Sequence, residues 1–419
     1  MNTSGLLSLN DAHPAMRHFA CKGDELYLAG RAVQAWVEEA SSTPVYLYDT
    51  SVVRSQIGRL RDCLPSGVKI SYAIKANPFE PLVQRINQWV DGFDVASLQE
   101  LELALRQGVP PEHISFAGPG KSTDTLKRAI EAGIIINLES VTEIKRCVDL
   151  GSELGLRPRV CIRVNPGLDV RASGMKMSSS EGSPFGIDFI QLPEILKDFP
   201  VSSLELLGLH VYGCSQQLDA ERLLAYLAAV LEQFKTLASI FPVPLRQINL
   251  GGGFGIPYFP KDQPLDLELV GQGLAELFVQ HQGWLDGTDI RMEFGRFLVG
   301  EAGVYVSRVL DIKESGGNTY VIVDGGMHHH LANAGLLGQV VRRNYPIAVA
   351  NKMSRAVVQR VNICGPLCTP LDRVATAVDL PALEIDDLIA IFSSGAYGLT
   401  ASPTGFLSQP SALEILCQP

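Results

Sequence analysis

Between residues 68 and 296 the chain alternates short apolar runs with stretches of helical period. Val68, Ile70, Tyr72 and Ile74 alternate with Lys69, Ser71, Ala73 and Lys75, a period of two that predicts a strand. Asn77-Pro78 ends it. Leu82, Ile86 and Trp89 follow at helical spacing, and 93–96 reads as a second short strand. Ser97 with Glu100 three residues on is a capping box that opens the next helix, and Gly108 closes it. The cycle returns at 114–117, at 134–138 (followed by a second box, Ser140 and Glu143), and at 160–164, 206–212, 247–250 and 290–293. About eight strand-then-helix units is the number that closes a (β/α)8 barrel. The rival, an open doubly wound sheet, normally uses fewer.

After residue 300 the pattern changes. Val304, Val306 and Val309 lead into Ser315-Gly316-Gly317-Asn318, a hairpin turn signal, and then into 320–324. Further short strands are expected at 356–363, 388–392 and 413–416, with little helical period among them. The expected organisation is an N-terminal segment 1–44 contributing to a β domain, an α/β barrel over 45–300, and a C-terminal β domain over 301–419. Glu25–Leu28 is a candidate extra strand for that β domain.

Composition adds exclusions. The formal net charge of -10 argues against nucleic-acid and anionic-membrane partners, both of which want a basic face. No apolar run approaches the ~20 residues of a membrane span. The stretch MNTSGLLSLNDAHPAMRHF has neither a basic start nor a continuous apolar core, so no secretory leader is expected. The eight cysteines, several inside apolar runs (Cys161, Cys214, Cys417), read as reduced thiols of a cytoplasmic protein.

Reactive groups of a barrel sit at the C-terminal strand ends. Lys75 ends the first barrel strand on the face of Ser71 and Ala73, whose small side chains leave room for a ligand. A lysine there can form a Schiff base, or can simply be a solvated strand end. The run 115–122, Ser-Phe-Ala-Gly-Pro-Gly-Lys-Ser, lacks the first glycine of a nucleotide loop and reads as an ordinary βα connection. Gly251-Gly252-Gly253-Phe-Gly255 follows a strand directly. It is either a phosphate cradle or a turn that is tight for steric reasons. Glu293-Phe-Gly295-Arg296 ends the last barrel strand, as a salt-bridged pair or as a carboxylate for a cationic ring nitrogen beside a phosphate. Cys364-Gly-Pro-Leu-Cys368 is a single pair where structural zinc usually wants two. His328-His329-His330, if on a strand, would point to opposite faces. No metal is expected.

Six motifs now stand in one order: Tyr72-Ala-Ile-Lys75-Ala-Asn77, Phe93-Asp94-Val-Ala-Ser97, Gly251-Gly-Gly253, Glu293-Phe-Gly-Arg296, Gly365-Pro-Leu-Cys368 followed by Asp372, and Gly395-Ala-Tyr397. From about residue 25 onward the chain resembles the fold-type III pyridoxal-phosphate decarboxylases, which include the diaminopimelate and ornithine/arginine enzymes. The resemblance implies an alanine-racemase-type (β/α)8 barrel plus a β domain, pyridoxal 5'-phosphate as cofactor, and a homodimer with shared active sites. It further implies that Lys75 holds the cofactor as a Schiff base and that Glu293 faces its pyridine nitrogen. Ser215, Gly252, Gly253, Gly295 and Arg296 match the phosphate positions, Asp94 and Arg163 lie near the cofactor, and Tyr397 lies close to it. Cys368, reaching across from the partner subunit, matches the acid. Arg296, Thr369, Asp372 and Tyr397 are the implied substrate contacts.

Three departures bear on substrate and cofactor. In His210-Val-Tyr212-Gly-Cys-Ser215, Tyr212 stands where a histidine normally stacks on the cofactor, and its aromatic face can still stack. The glutamate expected after the acid is Thr369, and the arginine expected eight residues after Asp324 is Ala332. A zwitterionic diaminopimelate end would lose both grips. The Met327–Ala332 stretch and the Gly174-Met-Lys-Met177 loop resemble a subgroup associated with exopolysaccharide or secondary-metabolite pathways, some of whose members act on amino acids tethered to an acyl carrier protein. The expected substrate is therefore an amino acid with a neutral or extended distal end, a carrier-tethered one being the candidate. His328–His330 and Arg342–Arg343 are alternative anion grips. Diaminopimelate or basic amino-acid decarboxylation remains the alternative. An amino-acid racemase (disfavoured by Glu293) and a non-catalytic regulatory relative are the remaining classes.

Overall fold

The computed structural model describes residues 13–168, 182–339 and 341–419, so the Gly174–Met177 loop lies outside the described residues. The chain divides into two compact units. One comprises Ile57–Gly255 with Leu265–Gly295; the other comprises residues 13–56, Ile256–Pro264 and Arg296–Pro419.

The first unit is the barrel. Its strands are Lys69–Ala73, Gly92–Val95, Ile114–Phe116, Ile135–Leu138, Arg159–Asn165, Glu205–His210, Gln247–Asn249 and Asp289–Phe294. Each pairs in parallel with the next in chain order, and the last returns to the first with Met292 opposite Ile70. Closure excludes the open sheet. The strands were legible as short apolar or alternating runs bounded by turn residues. Ile135, Cys161 and Leu207 pack as a buried cluster. The long helix Ala220–Ala238 buries Leu223, Leu227, Val230, Leu231 and Phe234, one face at helical spacing, while its N-terminus is capped by Asp219 accepting from Arg222 N–H at 3.1 Å.

Both capping boxes form with a shift. Ser97 accepts from Glu100 N–H (3.2 Å) and Ser140 from Glu143 N–H (3.1 Å). The acids, however, reach one residue further back, Glu100 to the Ala96 N–H (2.7 Å) and Glu143 to the Glu139 N–H (2.9 Å).

In the second unit, Gly303–Ser315 is the organising strand. Its first half lies between Val45–Asp49 and Leu388–Ile391, and its second half pairs with Asn318–Val323. Gly316 and Gly317 join that hairpin with φ of 57° and 74°, the left-handed pair that a two-residue turn between twisted strands requires. Gln359–Cys364 and Arg373–Leu380 extend the sheet on that side, Ile347–Val349 on the other, and Leu413–Cys417 lies beyond Val45–Asp49. Two placements differ from expectation. Val45–Asp49, inside the expected barrel range, joins this sheet: all five of its residues are buried, and its two edges pair with Gly303–Val306 and Leu413–Cys417. Glu25–Leu28 forms a separate three-stranded sheet with Ala20–Lys22 and Arg31–Ala32, its alternating burial fitting a sheet with one covered face.

Lys121, read as part of an ordinary βα loop, is buried. Its amine donates to Glu143 at 3.0 Å and to the carbonyls of Gly118 (2.7 Å) and Asn137 (2.8 Å). Removing one partner of a buried ion pair strands the other, at about 3–5 kcal/mol. Lys121→Met should therefore lower stability by about that much in urea unfolding. Lys145→Met, on the exposed i,i+4 pair with Asp149, should leave the midpoint in place.

Candidate active site

Lys75 does not continue the strand. The ladder ends at Ala73 and Lys75 sits in a single 3-10 turn, Ile74–Ala76, because Asn77 and Pro78 bend the chain at the rim. Its amine is 3.1 Å from Asp94 Oδ2 and 5.2 Å from the centre of the Tyr212 ring. Asp94 is fully buried, and its Oδ1 has no hydrogen-bond partner. Burial, reinforced by the Glu293 charge, pushes the Asp94 carboxyl up to about 7, against the pull of Lys75.

Glu293 is also buried. His210 Nε2 lies 2.9 Å from its Oε1, and Asn249 Nδ2 donates to the same oxygen at 2.7 Å. Among the described residues, Oε2 has no protein partner. Burial opposes ionisation of Glu293, but His210, Lys75 and Arg163 outweigh it and hold the carboxyl below its usual range. An ionised acceptor calls for a hydrogen on His210 Nε2, and the buried Nδ1 has no hydrogen-bond partner. Arg163 is held by Glu139 Oε1 at 2.8 Å and faces the Phe185 ring. Glu139 also accepts from the backbone N–H groups of Gly118 and Gly186, so one carboxylate ties Arg163 to two loops.

The glycine turn packs on the 211–217 segment. A Cβ on Gly252 would lie 1.7 Å from the Glu293 carbonyl oxygen, and one on Gly253 2.5 Å from that of Cys214, so sterics alone demand glycine here. The N–H groups of Gly252 and Gly253 nevertheless find no protein acceptor among the described residues, which leaves them available to an anion. Ser215 is half-buried on the segment these glycines touch. Gly295 is fixed sterically too, its hydrogen facing the Ala76 methyl.

The other expected residues belong to the β unit. Arg296 Nη1 donates to Tyr258 Oη at 2.5 Å, and its guanidinium lies over the Tyr397 ring at 4.6 Å. Tyr397 itself has a positive φ of 53°. Cys368 is exposed on the turn after Gln359–Cys364, with Thr369 beside it. Asp372, expected at the substrate, is instead buried: its oxygens accept from Met327 N–H (2.6 Å) and Leu367 N–H (2.8 Å), and it shapes the turn. His328–His330 lie in a turn rather than on a strand. His329 is 2.8 Å from the Pro410 carbonyl and His330 is 3.0 Å from Ser394 Oγ, while the His328 ring lies 3.7 Å from that of His329 and its nitrogens have no hydrogen-bond partner.

Sequence reasoning missed His210 and Asn249 as the holders of Glu293, Glu139 as the clamp on Arg163, and Tyr258 under Arg296. The signal was present for the first two: each is a polar residue ending an apolar barrel strand. For Glu139 and Tyr258 only the fold supplies the proximity.

A closed barrel with a lysine beside one buried carboxylate, and a second buried carboxylate held by histidine and amide, is matched over residues 50–300 by a family model that makes it a pyridoxal-binding barrel of fold-type III. Residues 50–300 match the pyridoxal-dependent decarboxylases over their pyridoxal binding domain, and the chain belongs to that family of carboxy-lyases. It is 36% identical over 384 residues (89% of this chain, 88% of the relative) to the L-glutamyl-[BtrI acyl-carrier protein] decarboxylase of Niallia circulans. It is 29% identical over 394 residues (91% and 96%) to the 2-[(L-alanin-3-ylcarbamoyl)methyl]-2-hydroxybutanedioate decarboxylase of Staphylococcus aureus. Diaminopimelate decarboxylase from Helicobacter pylori, solved with L-lysine, superposes with a TM-score of 0.81 at 28% identity, covering 91% of this chain and 93% of that one. Among the described residues, no helix is long and apolar enough to cross a membrane.

Folded Asp94 keeps its proton up to about pH 7, whereas in the unfolded chain it is lost near 3.8. Between those values the native state binds the extra proton, so this group's contribution to stability falls as pH rises. Urea unfolding of the cofactor-free chain should show wild type losing more stability than Asp94→Asn between about pH 5 and about pH 8. Equal losses would contradict the raised carboxyl.

Proposed function

We propose that the chain is a pyridoxal 5'-phosphate-dependent decarboxylase of an amino acid carried on an acyl carrier protein. The observation that carries the cofactor assignment is Asp94 Oδ1, buried without a hydrogen-bond partner, on the carboxyl that Lys75 meets at 3.1 Å and that the Glu293 charge reaches. Bound there, the cofactor supplies the electron sink for the pair left when carbon dioxide departs.

Lys75 would hold the cofactor's aldehyde carbon, and Asp94 stands close enough to exchange a proton with its amine. Glu293, fixed by His210 and Asn249, would keep the pyridine nitrogen protonated. Tyr212 would lie on the ring face, and Gly252, Gly253, Ser215, Gly295 and Arg296 would receive the phosphate. Arg163 would add a fixed positive charge near Glu293. Tyr397 and Arg296 would border the substrate. Cys368 of the partner subunit would deliver the proton to Cα, making the enzyme a homodimer with shared sites.

The tethered substrate rests on two features. Thr369 and buried Ala332 replace the charged residues that would pair with a diaminopimelate end, and neither can supply a charge-assisted bond of roughly 1.5–3 kcal/mol. The relative from Niallia circulans, similar over 89% of this chain, is named for a carrier-linked glutamyl substrate.

Lys75→Ala should lose turnover together with the visible Schiff-base absorbance, and the wild-type band should vanish on borohydride reduction. Mixing Lys75→Ala with Cys368→Ala chains should restore part of the activity, since one site of each heterodimer regains both groups. No recovery under verified subunit exchange counts against sharing. Carbon dioxide release should be efficient from carrier-linked glutamate and poor from diaminopimelate and lysine. Efficient turnover of diaminopimelate would replace this reading with the standard amino-acid one.

A further inference from the structure

A carrier protein presents its cargo on a phosphopantetheine arm, with a thioester at one end and a phosphodiester at the other. An enzyme that grips the arm needs cations for that phosphate. The β unit offers several candidate groups, and most are already engaged. Burial pushes His329 down to about 4 and His330 down to about 3, so both rings are neutral at pH 7. Arg343 lies 3.9 Å from Asp262 and stacks on Phe259.

Arg342 and Arg373 differ in being held by main-chain carbonyls alone: Arg373 Nε donates to the Pro370 carbonyl at 3.1 Å. Arg342 Nη2 donates to the main-chain carbonyl of Arg373, which brings the two cationic residues together. Arg342 Nε is buried without a partner. Among the described residues, neither guanidinium has a carboxylate within ion-pair distance. The adjacent acid, Asp372, is buried and spends its oxygens on backbone N–H groups. Neighbouring arginines whose forks are met only by carbonyls keep donors for an anion, and arginine forks match phosphate oxygens.

Their place is specific as well. Arg373 stands opposite Cys364 in the ladder and so closes the hairpin whose turn carries Cys368. Arg373 lies five positions after Cys368, at most ~18 Å of extended chain. Resting on the carrier-tethered reading above, we propose that Arg342 and Arg373 form the binding site for the phosphate of the carrier's pantetheine arm, at the foot of the Cys368 turn.

Two substrates that differ only by the phosphate test this: the glutamyl thioesters of pantetheine and of 4'-phosphopantetheine, each given to the holoenzyme. The readout is the ratio of their kcat/KM values within one protein, in which general damage from a substitution cancels. Wild type should favour the phosphorylated arm about tenfold. Arg342→Gln and the more exposed Arg373→Gln should each bring the ratio close to one. A wild-type ratio near one, with both thioesters turned over, overturns the phosphate site and leaves the tethered reading standing. Variants that keep the tenfold preference also overturn the site. Turnover of neither thioester, by an enzyme that decarboxylates a free amino acid, overturns both.

Discussion

Closure of the eight-stranded ring is the constraint on which the barrel's chemistry depends. Once Leu138 pairs with Ile162 and Met292 with Ile70, every strand is parallel and every C-terminal end lies on one rim. Lys75, Asp94, Arg163, His210, Asn249 and Glu293 are far apart in sequence, yet all stand at or just beyond such ends. The ring also compresses its members. Gly208 has no space for a Cβ, which would meet the Gln247 carbonyl at 1.7 Å, so the strand Glu205–His210 can take its place only with hydrogen there.

Charge on that rim is organised by burial. Glu293 and Asp94 are both carboxyls taken out of water, yet they are driven in opposite directions. Glu293 receives a histidine and an amide on one oxygen and stays ionised, whereas Asp94 has one lysine, an orphaned oxygen and the repulsion of Glu293. Environment therefore separates two chemically similar groups into a fixed anion and an acid that keeps its proton up to about pH 7. Glu139, Arg163, Lys121 and Glu143 form a neutral quartet beside them, which lets two buried cations sit near the rim without net charge.

The barrel strands were readable because each is a local apolar run, and the hairpin at Gly316-Gly317 because left-handed backbone calls for glycine. Motif order singled out Lys75, Asp94 and Glu293, which the barrel brings within electrostatic reach of one another. What escaped was pairing across strands. Nothing local in Leu-Leu-Gly-Leu-His210 says that its histidine meets a glutamate 83 positions later. Asp372 was misplaced for a related reason. The resemblance implies a substrate contact for Asp372, whereas the fold spends it on the N–H groups of Leu367 in its own turn and of Met327 on a distant one. Val45–Asp49 was put in the barrel because a fully buried strand has no alternation to tell one sheet from another.

That strand has a further consequence for how the molecule is made. Val45–Asp49 is synthesised early, but its parallel neighbour Leu413–Cys417 comes 368 positions later. At ordinary translation speeds, roughly 20–70 s separate the two. Throughout that interval the entire barrel sequence emerges while one edge of Val45–Asp49, with its Tyr46 and Leu47, waits uncovered. The barrel can assemble during synthesis, but the second sheet is completed only after it, which makes a nascent chain halted before residue 413 a natural client for chaperones that shield exposed strand edges.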